Sequence, residues 1–511
     1  MADGLTIRVD GRDVLVPDDS ATLLDVLRDV AGVRSVKDGC APQGQCGCCT
    51  VLVDGQPRVS CVTPVRRVGD REITTPDGLP ADVSSAWGAA FASTGGSQCG
   101  FCTPGIICRY EGLRVKGAAH DDRDVAAEAL LAHLCRCTGW QPVVDAWVAF
   151  PSASESPMSD SAARRAELEG GVAQVVGPEV ALGHGGFADD TAPLDAPVAV
   201  PISEGDGWAV AETRAEALRQ AGKIQGRRTT ADSAPPIELP EGDWVRTLRT
   251  SWIEPGYLET DAAWCEPGGE PASPLANGGA FGAKSTSEVG AVARRLADEH
   301  GRAVRVLYSR EDAVQRGPKR PPIAAGVRAD GTGVIRVART PGIADAIAAV
   351  APEFEVEEVD VPGPPTSVDI RGAGWAEAAV LAASMRDDDG WIEVPGGGAA
   401  QATVADDGSI AVRVRAGDPL DETVLRSYCT GAAHMALGWV TSESLTVDEA
   451  GEIHDLTIRS FGILRAIDTP TINVVVEEDE RASVAVSDAV FTAVAAAVWR
   501  SLDFPPTWPT P

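Results

Sequence analysis

Apolar and polar residues alternate along Leu5-Thr6-Ile7-Arg8-Val9, an Asp10-Gly11 pair follows, and Val14-Leu15-Val16 resumes the pattern. That order predicts a β-hairpin. Leu23, Leu24, Val26, Leu27 and Val30 fall at helical spacing behind Ser20 or Thr22, either of which suits an N-cap. A second hairpin is predicted from Thr50–Val53, an Asp54-Gly55 turn and residues 58–62. Strand, strand, helix, loop, hairpin is the order of a small β-grasp domain. Four helical segments follow, over residues 83–93, 103–114, 124–134 and 142–150. Residues 151–163 are a linker by composition, and Met158-Ser159-Asp160 within them resembles a fresh chain start, as if two chains had fused. Beyond it the pattern is less regular. An Ala/Val helix is expected over residues 488–499. The fold class is α+β and multidomain, with boundaries at 1–78 (β-grasp), 79–150 (four-helix), 151–163 (linker) and 164–511 (mixed α/β).

A chain of 511 residues holds two to four domains. The formal charge of −31 opposes binding to nucleic acid, because phosphates would be repelled. Residues 1–150 carry 14 basic and 19 acidic side chains, so most of the excess lies in the later part, where it reads as a solvated acidic surface. No apolar run approaches about 18 residues. The start has neither a basic nor an apolar leader pattern, which predicts a cytoplasmic protein. Ten of the twelve cysteines lie between Cys40 and Cys137, a clustering that points to metal rather than to disulfides.

Two motifs carry these cysteines. Gln98-Cys99-Gly100-Phe101-Cys102-Thr103-Pro104-Gly105 is answered by Cys135-Arg136-Cys137-Thr138-Gly139-Trp140 across a helical stretch. Four soft sulfur donors suit an iron–sulfur cluster or a structural zinc. Thr103 as a capping hydroxyl and Pro104 at the first helical position predict a helix start, whose partial positive charge would favour nearby thiolates. Upstream, Cys40, Cys46, Cys49 and Cys61 are spaced C-x5-C-x2-C-x11-C, one residue longer in the first gap than the plant-type ferredoxin pattern. Gly44 and Gly47 let that loop fold tightly around sulfur. A zinc knuckle or reactive thiols are the alternatives, and the glycine-laced loop favours a cluster. Cys48 is squeezed between two ligands and is expected to point away, Cys108 to be a core thiol, and His133 to be a surface or neighbouring residue rather than a ligand.

Residues 1–150 resemble the iron–sulfur subunit of the xanthine dehydrogenase family of molybdenum hydroxylases, through Gly39–Cys61, Gln98–Gly105 and Leu134–Trp140. The resemblance implies one 2Fe–2S cluster in the β-grasp domain and a second in the helical domain, the latter beside the pterin of a molybdenum cofactor. By that resemblance Gln98 and Cys137 approach the pterin. Later pieces resemble the molybdenum-binding subunit in its order: residues 185–190, 252–256, Gly278–Lys284, Val289 to Asp312, Ile370–Gly374, and Asp418 to Pro470. From them Gly279, Phe281, Gly282 and Arg371 are implied as cofactor contacts. Each glycine loop alone would be as consistent with a plain turn.

Departures from the family are as informative. No Gly-Gln-Gly loop for the pterin phosphate is present, Tyr428–Ala432 replaces a Gln-Ile-Glu-Gly-Gly-type segment, and the late Gly-Val-Gly-Glu loop with its base is missing. In its place stands an acidic turn, Glu477-Glu478-Asp479-Glu480, where a solvated charge is a poor substitute for a buried base. The expected function is therefore an electron-transfer component of a molybdenum hydroxylase, an oxidoreductase subunit with two 2Fe–2S clusters and a shortened relative of the molybdenum subunit. The molybdenum–pterin cofactor would be held mainly by a separate catalytic subunit, and any flavin by another. The alternatives are a self-contained molybdenum hydroxylase and a non-catalytic docking scaffold behind the clusters.

Overall fold

The computed structural model describes residues 5–150, 152–153, 159–203, 205–223, 226, 229–231, 234–275, 277–386 and 390–510. The first unit is a five-stranded sheet built from β1 (Thr6–Val9), β2 (Arg12–Leu15), β3 (Thr50–Val53), β4 (Gln56–Val59) and β5 (Glu72–Thr74), in the order β2-β1-β5-β3-β4. Both predicted hairpins pair antiparallel, while β1 and β5 run parallel, the crossover that closes a β-grasp sheet. Thr22 rather than Ser20 caps the helix, through a reciprocal box with Asp25. That helix is one turn, Leu23–Asp25, and then widens over Val26–Val30. Leu23, Leu24 and Leu27 pack with Val51, Val53, Val65 and Ile73 beneath the sheet. The second hairpin differs from expectation. Its return strand stops at Val59, and Ser60–Val62 turn tightly because the Ser60 hydroxyl donates to the Cys49 carbonyl at 2.7 Å. The turn carries Cys61 inward.

Helices Ala81–Thr94, Thr103–Val115, Arg123–Ala129 and Gln141–Ala149 form the second unit. Trp87, Tyr110 and Trp147 stack at its centre. The third helix is shorter than expected, ending in a tight turn at Leu130–Ala132, since His133 is extended so that the next residues can reach the β-grasp loop. Of the predicted linker 151–163, residues 151 and 154–158 lie outside the described residues, and its last residues are already the first turn of the helix Asp160–Gly170.

Three sheets make up the rest. Strands Trp208–Ala211, Val198–Pro201, Val304–Leu307 and Ala262–Cys265 form the first, backed by the amphipathic helix Val289–His300. The second runs Phe354–Val359, Gly333–Ala338, Ile323–Val327, Arg246–Thr250 and Thr507–Trp508. In the third, Ile392–Glu393, Ala399–Val404, Ile410–Arg415 and Ile472–Val476 pack on the helices Glu422–Thr441 and Ser487–Ser501. Ile410, Val412 and Val414 are buried while the residues between them are exposed, the two-residue period of a half-buried strand.

A buried charge network ties the β-grasp unit to this third part. Arg28 donates to Asp189 at 2.6 Å and Asp190 at 3.0 Å, Lys37 pairs with Asp190, and Arg305 reaches Asp189 at 2.8 Å and Asp29 at 3.0 Å. Burial alone would raise the Asp189 carboxyl, but the guanidiniums of Arg305, Arg28 and Arg34 hold it far below the ordinary carboxylate range. A depressed folded-state value contributes stability above the unfolded pKa of about 3.9 and loses it as pH falls through the folded value. The stability difference between wild type and Asp189→Asn is therefore expected to be full at neutral pH and to shrink only well below about pH 4, as read by denaturant unfolding at each pH. A difference that is constant with pH would contradict this.

Candidate functional site

Cys40, Cys46 and Cys49 on the loop before β3, and Cys61 on the turn after β4, are all buried. Backbone N–H groups point at the sulfurs: Gln45 and Cys46 donate to Cys40 Sγ at 3.4 and 3.3 Å, and Cys61 donates to Cys49 Sγ at 3.5 Å. Hydrogen bonds from Cys46 and then Cys61 hold the Cys40 thiol well below its ordinary value. Gly47 sits at φ +73°, and a Cβ there would collide with the His133 ring. Cys48 Sγ turns aside to the Cys46 carbonyl at 3.9 Å and is fully buried.

Cys99, Cys102, Cys135 and Cys137 are likewise buried, at the start of the helix Thr103–Val115 and on the loop after His133. Thr103 is not the cap. Cys102 itself occupies the cap position and the Thr103 hydroxyl donates to Ser97 at 3.1 Å, so the helix dipole acts directly on a cysteine. Cys99 and Cys137 sulfurs lie 3.6 Å apart, and Cys102 is hydrogen-bonded to Cys135. The Cys102 bond, with help from Thr138 and against burial, brings the Cys135 thiol down to about 6. A tetrahedral zinc site would gather all four sulfurs around one ion at about 2.3 Å. Here they fall into two pairs, and among the described residues no three His, Cys, Asp or Glu side chains converge on a single-ion site.

The two cysteine sets meet through backbone. Leu134 N–H, next to Cys135, donates to the carbonyl of Cys46 at 2.9 Å. Gly105 packs so closely on the Gly47 and Cys48 carbonyls that any side chain would collide. His133 is buried between the two units rather than on the surface, with Nε2 3.3 Å from both Thr50 Oγ1 and the Gly105 carbonyl. Burial, then the charge of Arg109, lowers its pKa to about 3, so it is neutral. Cys108 is a core thiol whose pKa burial pushes up.

Residues from the far part of the chain grip the second cysteine loop. Arg136, between Cys135 and Cys137, makes a buried bidentate pair with Glu443 at 2.5 and 2.6 Å and donates to the Pro255 carbonyl at 2.9 Å. Gln98 donates to the Cys137 carbonyl at 3.0 Å and to Ser427 at 2.9 Å. Trp140 donates to the Leu464 carbonyl at 3.0 Å.

A cavity of about 430 Å³ opens against Cys99 and Cys137. Gln98, Cys137, Gly279, Phe281, Gly282 and Arg371 all line it. Gly279, at φ +80°, would place a Cβ 3.1 Å from Cys99 Cβ and 3.4 Å from Cys137 Sγ, so only glycine brings this loop against the cysteines. Arg371 lies over the Phe281 ring at 5.1 Å and pairs with Asp488 at 2.8 Å. Glu169, Asp369, Tyr428 and Asp488 also line the cavity, and nothing local in the sequence marks them. Glu169 is engaged by Arg165 at 3.1 Å and by the N–H of Ser487 at 2.9 Å, at the start of the helix Ser487–Ser501. The acidic turn Glu477–Glu480 is elsewhere: Asp479 takes Arg481 and the N–H of Gly417, and Glu477 pairs with Arg413. It supplies no base to the cavity.

Residues 6–70 match the 2Fe-2S iron-sulfur cluster binding domain, and residues 75–148 match the 2Fe-2S binding domain. The chain is 43% identical over 137 residues to aldehyde oxidoreductase of Megalodesulfovibrio gigas, covering 26% of this chain and 15% of that protein. It is 36% identical over 127 residues to the nicotinate dehydrogenase small FeS subunit of Eubacterium barkeri, covering 25% of this chain and 80% of that subunit. The chain belongs to the xanthine dehydrogenase family of molybdenum hydroxylases. The part of this molybdenum hydroxylase family member that matches in sequence is its cysteine-bearing first quarter. In fold the likeness runs further, to the crystal structure of aldehyde oxidoreductase from Desulfovibrio desulfuricans, with a TM-score of 0.68, 14% identity and 97% of each chain covered. Among the described residues no helix is long and apolar enough to cross a membrane.

Proposed function

We propose that this chain is the electron-transfer component of a molybdenum hydroxylase, an oxidoreductase part that carries electrons one at a time from a molybdenum site to an acceptor. The observation that carries the reading is the serial arrangement: an open cavity at Cys99 and Cys137, then the second cysteine set, then the Leu134–Cys46 hydrogen bond, then the first cysteine set. Cys40, Cys46, Cys49 and Cys61 would hold one 2Fe–2S cluster and Cys99, Cys102, Cys135 and Cys137 the other. Paired sulfurs, backbone N–H donors and burial fit two irons per site, with two thiolates for each iron. When bound, such clusters supply one-electron carriers whose potentials answer to local charge and hydrogen bonding. The protein holds the two sites in contact through backbone and buries their cysteines: His133 is neutral and packed between, and Glu443 and Ser427 fasten the second loop. Residues 1–78 and 79–150 are the units proposed to carry the clusters, and 164–511 the region that packs against the second one.

The cavity does not fit a phosphate-bearing pterin cofactor held by this chain alone. Of the three carboxylates in its wall, Glu169 is matched by Arg165 and Asp488 by Arg371, the one guanidinium there, which leaves Asp369 with no cation on it among the described residues. An anionic ligand would meet one uncompensated carboxylate and no unpaired cation among the described residues of the wall. Both N–H donors of the Gln98 amide are spent on Cys137 and Ser427. We therefore propose that a separate subunit holds the molybdenum site and that a flavin, if used, comes from another chain; one relative is by name a small FeS subunit. The self-contained reading has one observation in its favour, that all six implied cofactor contacts line one cavity of this chain. Metal analysis of the purified chain decides between them. Iron near four per chain with no molybdenum is the expected result, and stoichiometric molybdenum with pterin would establish the self-contained reading instead.

A further inference from the structure

Behind the second cysteine set lies a small void whose wall includes Cys99, Cys102, Cys135 and Cys137 and, facing them, Glu259 and Lys284. The relay reading gives this pair no role. Lys284 Nζ pairs with Glu259 Oε2 and is steadied by the Pro274 carbonyl at 3.1 Å, and both side chains are buried, at 1% and 9% exposure. Glu259 Oε1 has no hydrogen-bond partner among the described residues. The other charges around the pair are engaged elsewhere, Asp190 and Arg136 in ion pairs and Asp261 and Arg310 in hydrogen bonds to neutral groups. Asp190 takes Lys37 and Arg28, Asp261 takes the Tyr257 and Ser287 hydroxyls, Arg310 takes the Gly39 and Leu258 carbonyls, and Arg136 takes Glu443. A buried ion pair is weak evidence for stability, since apolar residues of the same shape would serve as well or better. It does fix a local dipole, and the potential of an iron–sulfur cluster follows the charge beside it.

Resting on the relay reading, we infer that Lys284 and Glu259 are positioning residues whose charges set the reduction potential of the cluster held by Cys99, Cys102, Cys135 and Cys137, and not that of the other cluster. Removing the carboxylate leaves an uncompensated cation, which favours the added electron. Removing the ammonium leaves the opposite. In a protein interior one such charge acts strongly at short range, and the effect expected is about tenfold in the one-electron equilibrium, about 59 mV.

The test is an EPR-monitored redox titration of the iron-loaded full chain at pH 8, above the value of about 7 to which burial, opposed by Lys284, raises Glu259. The signal lost in Cys102→Ser identifies the second cluster. Glu259→Gln is expected to raise its midpoint, Lys284→Met to lower it, and the double variant to return it toward wild type, with the other signal unmoved. Unmoved potentials, single variants shifting in the same direction, or both clusters shifting together would overturn the inference. Should either single variant lose the cluster, Lys284→Arg and the charge-neutral double variant decide: Lys284→Arg should hold the wild-type potential, and a large shift there overturns the role of charge. A wild-type chain without reducible iron signals fails the relay reading itself, whereas two normal signals with unmoved potentials fail this inference alone.

Discussion

Replacing Glu443 by alanine is expected to destabilise the protein by about 3–5 kcal/mol and to disturb one cluster signal while sparing the other. Arg136 is buried between Cys135 and Cys137, and its guanidinium has both terminal nitrogens on Glu443, 307 residues further along the chain. Alanine leaves that cation unpaired in a buried site, which costs far more than the pair itself contributes. The same loop has no slack: a side chain on Gly431 would run into the Cys137 carbonyl, and one at Gly139 would lie 2.6 Å from that of Thr430. Denaturant unfolding and EPR of the reduced protein check this. If Glu443→Ala unfolds like wild type with both signals unchanged, the late part of the chain is not what holds the second loop. Removal of residues 164–511 extends the prediction, because a mere docking scaffold could be deleted with both signals intact.

Serine at Cys102 or at Cys49 should each abolish one of two reduced iron signals and take iron from about four to about two per chain. Alanine at Cys48 or Cys108 should leave both. All of these thiols are buried, so burial does not distinguish ligands from bystanders. What distinguishes them is company. Cys102 bonds to Cys135 and Cys49 accepts the N–H of Cys61, while Cys48 turns to the Cys46 carbonyl and Cys108 lies in the helical core. Zinc in place of iron, or loss of a signal in Cys48→Ala, would overturn the assignment.

The cysteine sets were legible because their spacing is short and their chemistry is carried by one residue type. The β-grasp hairpins and the four helices were legible for a related reason, since turns and caps depend on a few neighbouring residues. The failures were also local. A serine hydroxyl turned back on Cys49 and ended a strand early at Val59, and His133 went extended where the apolar spacing of residues 124–134 continued as helix. The cap at Cys102 was misplaced by one residue for want of any side-chain bond to mark it.

From its sequence alone this protein was bound to carry two buried cysteine sets on a small sheet and a four-helix unit, since periodicity and short-range turn chemistry determine both. Only the tertiary structure decided that the acidic turn at Glu477–Glu480 lies away from the cavity and that Glu169, Asp369 and Asp488 stand in its wall. The same holds for Glu443 on Arg136 and Glu259 on Lys284. Such pairs join residues from about 25 to 307 positions apart. No local pattern encodes them, because they arise when separately folded faces are packed together and each buried charge must find a partner.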